Sequence, residues 1–423
     1  MCYYRLYILL MLYTLASCNN ATKMEKNKSP HSENGNLLTR LMEDPQLAPV
    51  TGNLSKYRLQ VIYTQINRDA QNKPTFTDFY YNVDTLRYFY PASTVKLPAA
   101  ILALEKLNDL NINNLDKFSA AFTRGLPGIS TAVNFDSTAQ DFHPSIAHYI
   151  KKIFLVSDND AFNRLYEFLG QEEFNRKLWQ KGFASAQIRH RLDVDLSPEA
   201  NRHTNGMFFM DDGDTVYQQP GKISSLVFQD KHDLIGKAHY IGDSLVRTPM
   251  DFYYKNHISL VDLHHILRNI IFPGTVTSGQ AFRLKEEDYR FLYRYMSQLP
   301  TETTYPAYDS TEFYPAYVKF LLFGGDKNAV MPPYIRIFNK PGWAYGFLTD
   351  LAYVVDFKNK VEFMVSANLY VNEDGVLSSG HYEFDEIGKP FLQKLGSIIY
   401  QYELERKRLH EPDLSKFMMT YDR

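Results

Sequence analysis

Past residue 18 this chain has no cysteine: its only two, Cys2 and Cys18, stand among the first eighteen of 423 residues. A disulfide framework and a thiolate metal site are therefore excluded from the body of the protein. Excess charge is missing as well. With 46 Lys and Arg against 48 Asp and Glu, there is no surplus of cations to neutralise a phosphate backbone, which argues against a nucleic-acid binder. No Gly-rich phosphate loop follows an expected strand, and no cofactor is implied. His264 and His265 are adjacent on an expected helix and so point apart; with His257 nearby they lack ligand spacing, and no metal site is expected. What the chain has in quantity is aromatic, with 31 Tyr and 29 Phe. Tyr80, Tyr81, Tyr88 and Tyr90 are expected to pack strand faces.

The first eighteen residues read as a leader. Arg5 precedes an apolar run from Leu6 to Leu15 that is too short to span a bilayer as a mature helix. Its end, Leu15-Ala16-Ser17-Cys18, looks like a bacterial lipobox, where cleavage before Cys18 leaves that thiol to carry diacylglycerol. The expectation is a protein lipid-anchored at the bacterial cell envelope, facing the periplasm and resting on the membrane without crossing it. Residues 19–55, rich in Asn, Lys, Ser, Glu and Pro, read as a flexible tether holding only a transient helix at Leu37, Leu38 and Leu41.

From Lys56 to about residue 405 strand and helix patterns follow one another, with a tail at 406–423; length alone leaves open whether this is one domain or more. Tyr57, Leu59, Val61 and Tyr63 alternate with polar residues at the strand period, and Phe76 to Val83 supplies a partner strand. Ser93 to Leu107 is Ala- and Leu-rich and reads as a buried helix, with Pro98 in its tolerated first turns. Further helical patterns run from about 140 to 180 and from Ser259 to Phe272, the latter with a capping-box-like start at Ser259 and Asp262. Strands return at Tyr334 to Lys340, Phe347 to Phe357 and Val361 to Tyr370, before an amphipathic helix from about Glu386. This order predicts an α/β (α+β) fold: an antiparallel sheet built from both chain ends, flanked by helices, with an all-helical subdomain inserted. A polar insertion at about 205–255 is expected to form a lid or rim.

Three short segments carry chemistry. In Tyr90-Pro91-Ala92-Ser93-Thr94-Val95-Lys96, the only Ser in the chain with Lys three positions on, a helical turn brings the amine over the hydroxyl. Burial that lowers the amine's pKa would let it take the serine's proton, and a backbone N–H at the helix start would face an oxyanion. An ordinary N-cap serine is the plainer alternative. In Ser157-Asp158-Asn159, Ser157 would share a proton path with Lys96, Asn159 would hold a substrate amide and Asp158 would orient the loop. A helix cap or Asx-turn explains the same residues structurally. In Lys340-Pro341-Gly342, at a strand end, Lys340 would offer positive charge to a substrate carboxylate or to Ser157, and Gly342 a close backbone approach.

Taken in order, Ser-x-x-Lys, Ser-Asp-Asn and Lys-x-Gly resemble the class A β-lactamases and penicillin-binding peptidases. The run from Lys340 through Gly346 and Asp350 to Ala352 is similar to that family's innermost strand and its neighbour. The resemblance implies Ser93 as acylated nucleophile, Lys96 as base or proton relay, and Ser157 as proton shuttle to the leaving nitrogen. It implies Asn159, Lys340, Gly342 and Trp343 around the substrate, with the backbone N–H groups of Ser93 and Trp343 as oxyanion hole. A small β-lactam or peptidoglycan-like molecule would be the substrate. Two features depart from the pattern. Pro341 stands where the family has a Thr or Ser hydroxyl to anchor a carboxylate. No Glu-x-x-Leu-Asn supplies a deacylation base, leaving Asp193, Asp195 and Glu199 as candidates or as solvated loop acids. A peptidoglycan peptidase or esterase of the same fold, and a non-catalytic envelope binder, are the competing readings.

Overall fold

The computed structural model describes residues 35–229 and 231–422. The leader, Cys18 and the first part of the expected tether lie outside them. From Gly35 onward the tether expectation is overturned, because the chain is helical and docked. Helix α1 (Gly35–Met42) is followed by turns at Pro45–Leu47, Ala48–Thr51 and Leu54–Tyr57. The side chains of Asp44 and Asn53 cap two of these turns through Gln46 N and Lys56 N. Leu38, Met42, Leu47 and Val50 are buried together. The leucine patch is thus continued by three later apolar residues into a face large enough to dock.

Strands β1 (Gln60–Arg68) and β2 (Pro74–Tyr81) form a hairpin closed by Asp69, whose carboxylate accepts from Gln71 N and Lys73 N. Helices α2 (Lys96–Leu110), α3 (Ile146–Val156), α4 (Asn159–Leu169), α5 (Gln171–Gln180), α6 (Leu260–Ile271) and α7 (Glu286–Ser297) come next. Strands β3 (Ile335–Ala344), β4 (Phe347–Asp356) and β5 (Val361–Tyr370) and helix α8 (Lys389–Glu405) complete the body. The five strands lie in the order β3-β4-β5-β1-β2, each antiparallel to its neighbour. Pairing of β1 with β5, with Val61 opposite Ala367 and Tyr63 opposite Val365, joins the two ends of the chain.

Alternation assigns the strand residues to two cores. Val61 and Tyr63 pack with Leu348, Val354 and Val365 beneath α1 and α8, whereas Ile62 and Ile66 pack with Leu351, Tyr353 and Met364 toward α6 and the helical region. With both faces covered, β4 and β5 are buried along their whole length, so they read as largely apolar runs without polar alternation. His264 of α6 is buried against the sheet and bonded to Thr64 Oγ1 and Ser366 Oγ, each at 2.8 Å. Ser259 caps α6 through Asp262 N, but the Asp262 carboxylate turns to Ser185 instead of closing the box.

The region inserted between β2 and β3 is helical at its centre, and short strands decorate it. Ala120–Thr123, Met207–Asp211 and Asp214–Gln219 form a small sheet. Met207 and Phe209 are buried on alternate positions, and the Asp212-Gly213 turn has both residues at positive φ, a hairpin signature. The C-terminal tail is docked too: Leu414 and Phe417 are buried, with the Phe417 ring 4.9 Å from that of Tyr353.

Candidate active site

The three chemical segments converge on one cleft of about 530 Å³, lined among others by Ser93, Ser157, Asn159, Asp193 and Trp343. Ser93 lies on a 3₁₀ turn, Ala92–Val95, that runs directly into α2. The Lys96 N–H donates to the Ser93 carbonyl, so the two residues lie one turn apart on a continuous turn and helix, while the Lys96 amine itself is bonded to Ser157 and Asn159. No side chain caps either the turn or α2, so the N-cap alternative for Ser93 does not apply. Ala92, just before the serine, has φ 46. This left-handed conformation is strained for a residue with a Cβ, and such strain gathers at sites that must present a side chain in a fixed direction.

Ser157 stands at the corner between α3 and α4, also left-handed at φ 62. Asp158 caps α4 by accepting from Ala161 N at 2.7 Å and pairs with Lys152 at 3.6 Å. It thereby fixes the corner by capping α4, as the structural alternative expects. Lys96 is fully buried and reaches across from α2, bonding the Ser157 carbonyl, Ser157 Oγ at 3.3 Å and Asn159 Oδ1 at 2.6 Å. Burial pushes its amine down to about 7, with Asp158 and Asp193 drawing it partly back. The third segment enters from β3. Lys340 Nζ donates to Ser157 Oγ at 2.8 Å and to the Pro341 carbonyl at 2.8 Å. Its own burial and the nearby Lys96 hold it well below the usual lysine range, against the pull of Asp350. One hydroxyl therefore sits between two buried amines, and a hydroxyl can both accept and donate a proton.

Gly342 shows why the third segment needs glycine. A Cβ there would lie 2.7 Å from the Pro91 carbonyl oxygen and 2.8 Å from the backbone nitrogens of Ser93 and Thr94. The strand backbone and the Ser93 turn are in contact along that line, and no side chain fits between them. Beneath Lys340, Lys319 is fully buried and satisfied by the carbonyls of Met296 and Ile337 and by Asn339 Oδ1. Asn339 in turn donates to Asp350, which also accepts from Leu321 N.

Of the three acids considered for deacylation, the cleft receives only Asp193, whose carboxylate is 3.4 Å from Asn159 Nδ2. Asp195 lines a separate cavity with Arg189 and Tyr253. Glu199 is exposed on the short helix Pro198–Arg202, beside Arg202 and His203. The walls were not foreseen from the sequence. Phe313 and Tyr317 arrive on the irregular stretch between Glu302 and Ile335, Tyr345 sits on the turn joining β3 to β4, and Tyr90 stacks on His190 with rings 6.1 Å apart. No periodicity marks loop aromatics, so only the abundance of Tyr and Phe hinted at them. Part of the insertion at 205–255 does reach this rim: Phe252 packs edge-on against Tyr345 at 5.5 Å, and Lys255 Nζ donates to the Tyr345 hydroxyl at 3.2 Å.

A mixed fold with an antiparallel sheet built from both chain ends, carrying a serine and two buried lysines around a second serine, defines a class of serine-centred α/β proteins. The profile of the Beta-lactamase enzyme family matches residues 54–402, and the chain belongs to that family. Among solved structures it is similar to a β-lactamase from Sphaerobacter thermophilus DSM 20745 (11% identity, 85% of this chain and 95% of that one, TM-score 0.46). It is also similar to PBP-A (15%, 86% and 96%, 0.47) and to a PBP-A variant in an acyl-enzyme complex with penicillin G (14%, 86% and 97%, 0.46). No curated protein matches the chain.

Proposed function

We propose that this chain is a serine hydrolase that transfers an acyl group from a cyclic or linear amide to Ser93 and then releases it to water. The observation that carries this reading is the run Lys96, Ser157, Lys340 at the floor of the cleft that Ser93 lines. Lys96, lowered by burial to about 7 and so largely neutral above that pH, takes the Ser93 proton as Oγ bonds to the substrate carbonyl carbon. Backbone N–H groups of Ser93 and Trp343 stabilise the oxyanion. The C–N bond breaks as Ser157 gives its proton to the leaving nitrogen and is refilled from Lys96, with Lys340 holding the Ser157 oxygen. Asn159 binds the acyl-side amide, and Asp193 activates the water that cleaves the ester.

Incubation with a fluorescent penicillin and with a neutral activated ester, followed by peptide mass measurement, tests this. An adduct on the Ser93 peptide that is absent in Ser93→Ala is the expected result; no adduct with either reagent refutes it. Gly342→Ala is expected to slow adduct formation about 100-fold, because its Cβ would push β3 off the Ser93 turn and small misplacements of a nucleophile are costly. The thermal midpoint should fall too, since overpacking of this kind costs about 1–3 kcal/mol.

A peptidase-like enzyme that acylates readily and deacylates slowly is the second reading. It is favoured by the engagement of Asp193, the one loop acid at the cleft, with Asn159. We further propose that Cys18 carries lipid, on the strength of Leu15-Ala16-Ser17 before it. Full-length protein should then partition into a detergent phase and incorporate labelled fatty acid, and Cys18→Ala should lose both.

A further inference from the structure

Among the described residues, no cationic side chain lines the cleft above Ser93 directly: there is no Lys, Arg or His, whereas Asp158 and Asp193 both border it. The two lysines of the site lie underneath: Lys96 and Lys340 are buried and turned onto Ser157, Asn159 and the Pro341 carbonyl. Pro341, next to Lys340, has neither a side-chain hydroxyl nor an N–H to offer an anion. Lys255 is engaged with Tyr345, over its ring at 5.2 Å and against its hydroxyl. His190, behind Tyr90, is pushed down to about 4 by burial, so it is neutral at physiological pH.

The remaining wall is aromatic. Tyr317 packs edge-on against Trp343 at 6.3 Å and against Phe313 at 5.0 Å, and Tyr345 edge-on against Tyr90 at 5.1 Å. Ring faces carry negative potential, so they welcome apolar groups and cations and offer nothing to a carboxylate stripped of water. Of the two acids, Asp158 is committed to Lys152 and to capping α4. Asp193 is exposed and makes one long bond, to Asn159, so its carboxylate also presents negative charge to the cleft.

From this distribution of charge we infer that the Ser93 cleft selects acyl donors that lack a carboxylate beside the scissile bond, namely neutral or cationic amides and esters bearing an aromatic or apolar group. The inference rests on the serine-hydrolase reading for its reaction but not for its selectivity, and the two can be tested apart. A chromogenic cephalosporin and its carboxylate methyl ester form a matched pair, to be compared both for acylation of the wild-type protein and for binding to Ser93→Ala by titration calorimetry. The expected result is at least tenfold higher kcat/KM and at least tenfold tighter binding for the methyl ester. A cationic amide of the same acid should bind at least as well as the ester, and its advantage should shrink as salt is raised. If the methyl ester binds Ser93→Ala more tightly yet neither compound acylates the wild-type protein, the selectivity stands and the hydrolase reading falls. If the free carboxylate binds as well as or better than the ester, or if neither binds, the inference is overturned; acylation of Ser93 by the carboxylate would then still uphold the hydrolase.

Discussion

Lys96→Met is expected to lower the rate of Ser93 acylation about 10³-fold at pH 8, within the 10²–10⁴ range typical of a lost general base. Methionine fills the volume of the buried side chain without its amine, so the fold should survive and the loss should appear in the chemical step, read by stopped-flow labelling. The pH dependence gives a sharper signature. Burial sets the Lys96 amine at about 7, so wild-type acylation should drop about tenfold per pH unit below that value and level off above it. In Lys96→Met the remaining rate should lose this inflection. Stability carries the same sign information. Between about 7 and the ordinary lysine value the unfolded chain holds a proton that the folded protein has released, so wild-type stability rises with pH across this window. Removing the amine removes that slope. The thermal midpoint of Lys96→Met relative to wild type should therefore shift in favour of the variant as pH falls from 10 to 7. A wild-type profile flat through neutrality would rule out Lys96 as the proton acceptor.

Asp193→Asn should separate the two halves of the reaction. It leaves Ser93, Lys96 and Ser157 in place, and loss of the Asp193 charge lowers the Lys96 amine further, so at pH 8, where that amine is already mostly neutral, the burst of acylation is expected to persist at near wild-type rate. Steady turnover should fall about 100-fold, the usual scale for a missing base, and acyl-enzyme should accumulate on Ser93. The geometry behind this is simple. Asp193 is the only one of the three candidate loop acids that borders the cleft, held there by a left-handed backbone at φ 57 that aspartate tolerates better than most residues. Unchanged turnover would mean that water is activated elsewhere and would strengthen the peptidase-like reading.

The parts of this protein legible in its sequence are those in which local pattern and final environment agree. Val361–Tyr370 reads as a strand because its apolar residues are buried on both faces. Lys96 could be placed one turn from Ser93 from spacing alone because both belong to one continuous turn and helix. Ser157 and Lys340 could be named, but their approach to 2.8 Å depends on a sheet and a helical corner meeting, which no local signal encodes. The docking of Leu38 through Val50 was hidden for a related reason. Polar residues between the apolar ones make the segment look soluble, and its cohesion appears only when the far strands and α8 supply the opposing surface. The aromatic walls around Ser93 are the extreme case, since Phe313 and Tyr317 are placed by a stretch with almost no secondary structure.

That docked N-terminal segment has a mechanical corollary. With lipid on Cys18, only the sixteen residues 19–34 separate the anchor from α1, a span of at most ~55 Å at full extension. Under the proposals that Cys18 carries lipid and Ser93 is acylated, the cleft would stay close to the bilayer, and substrates farther out would have to diffuse inward to be cut.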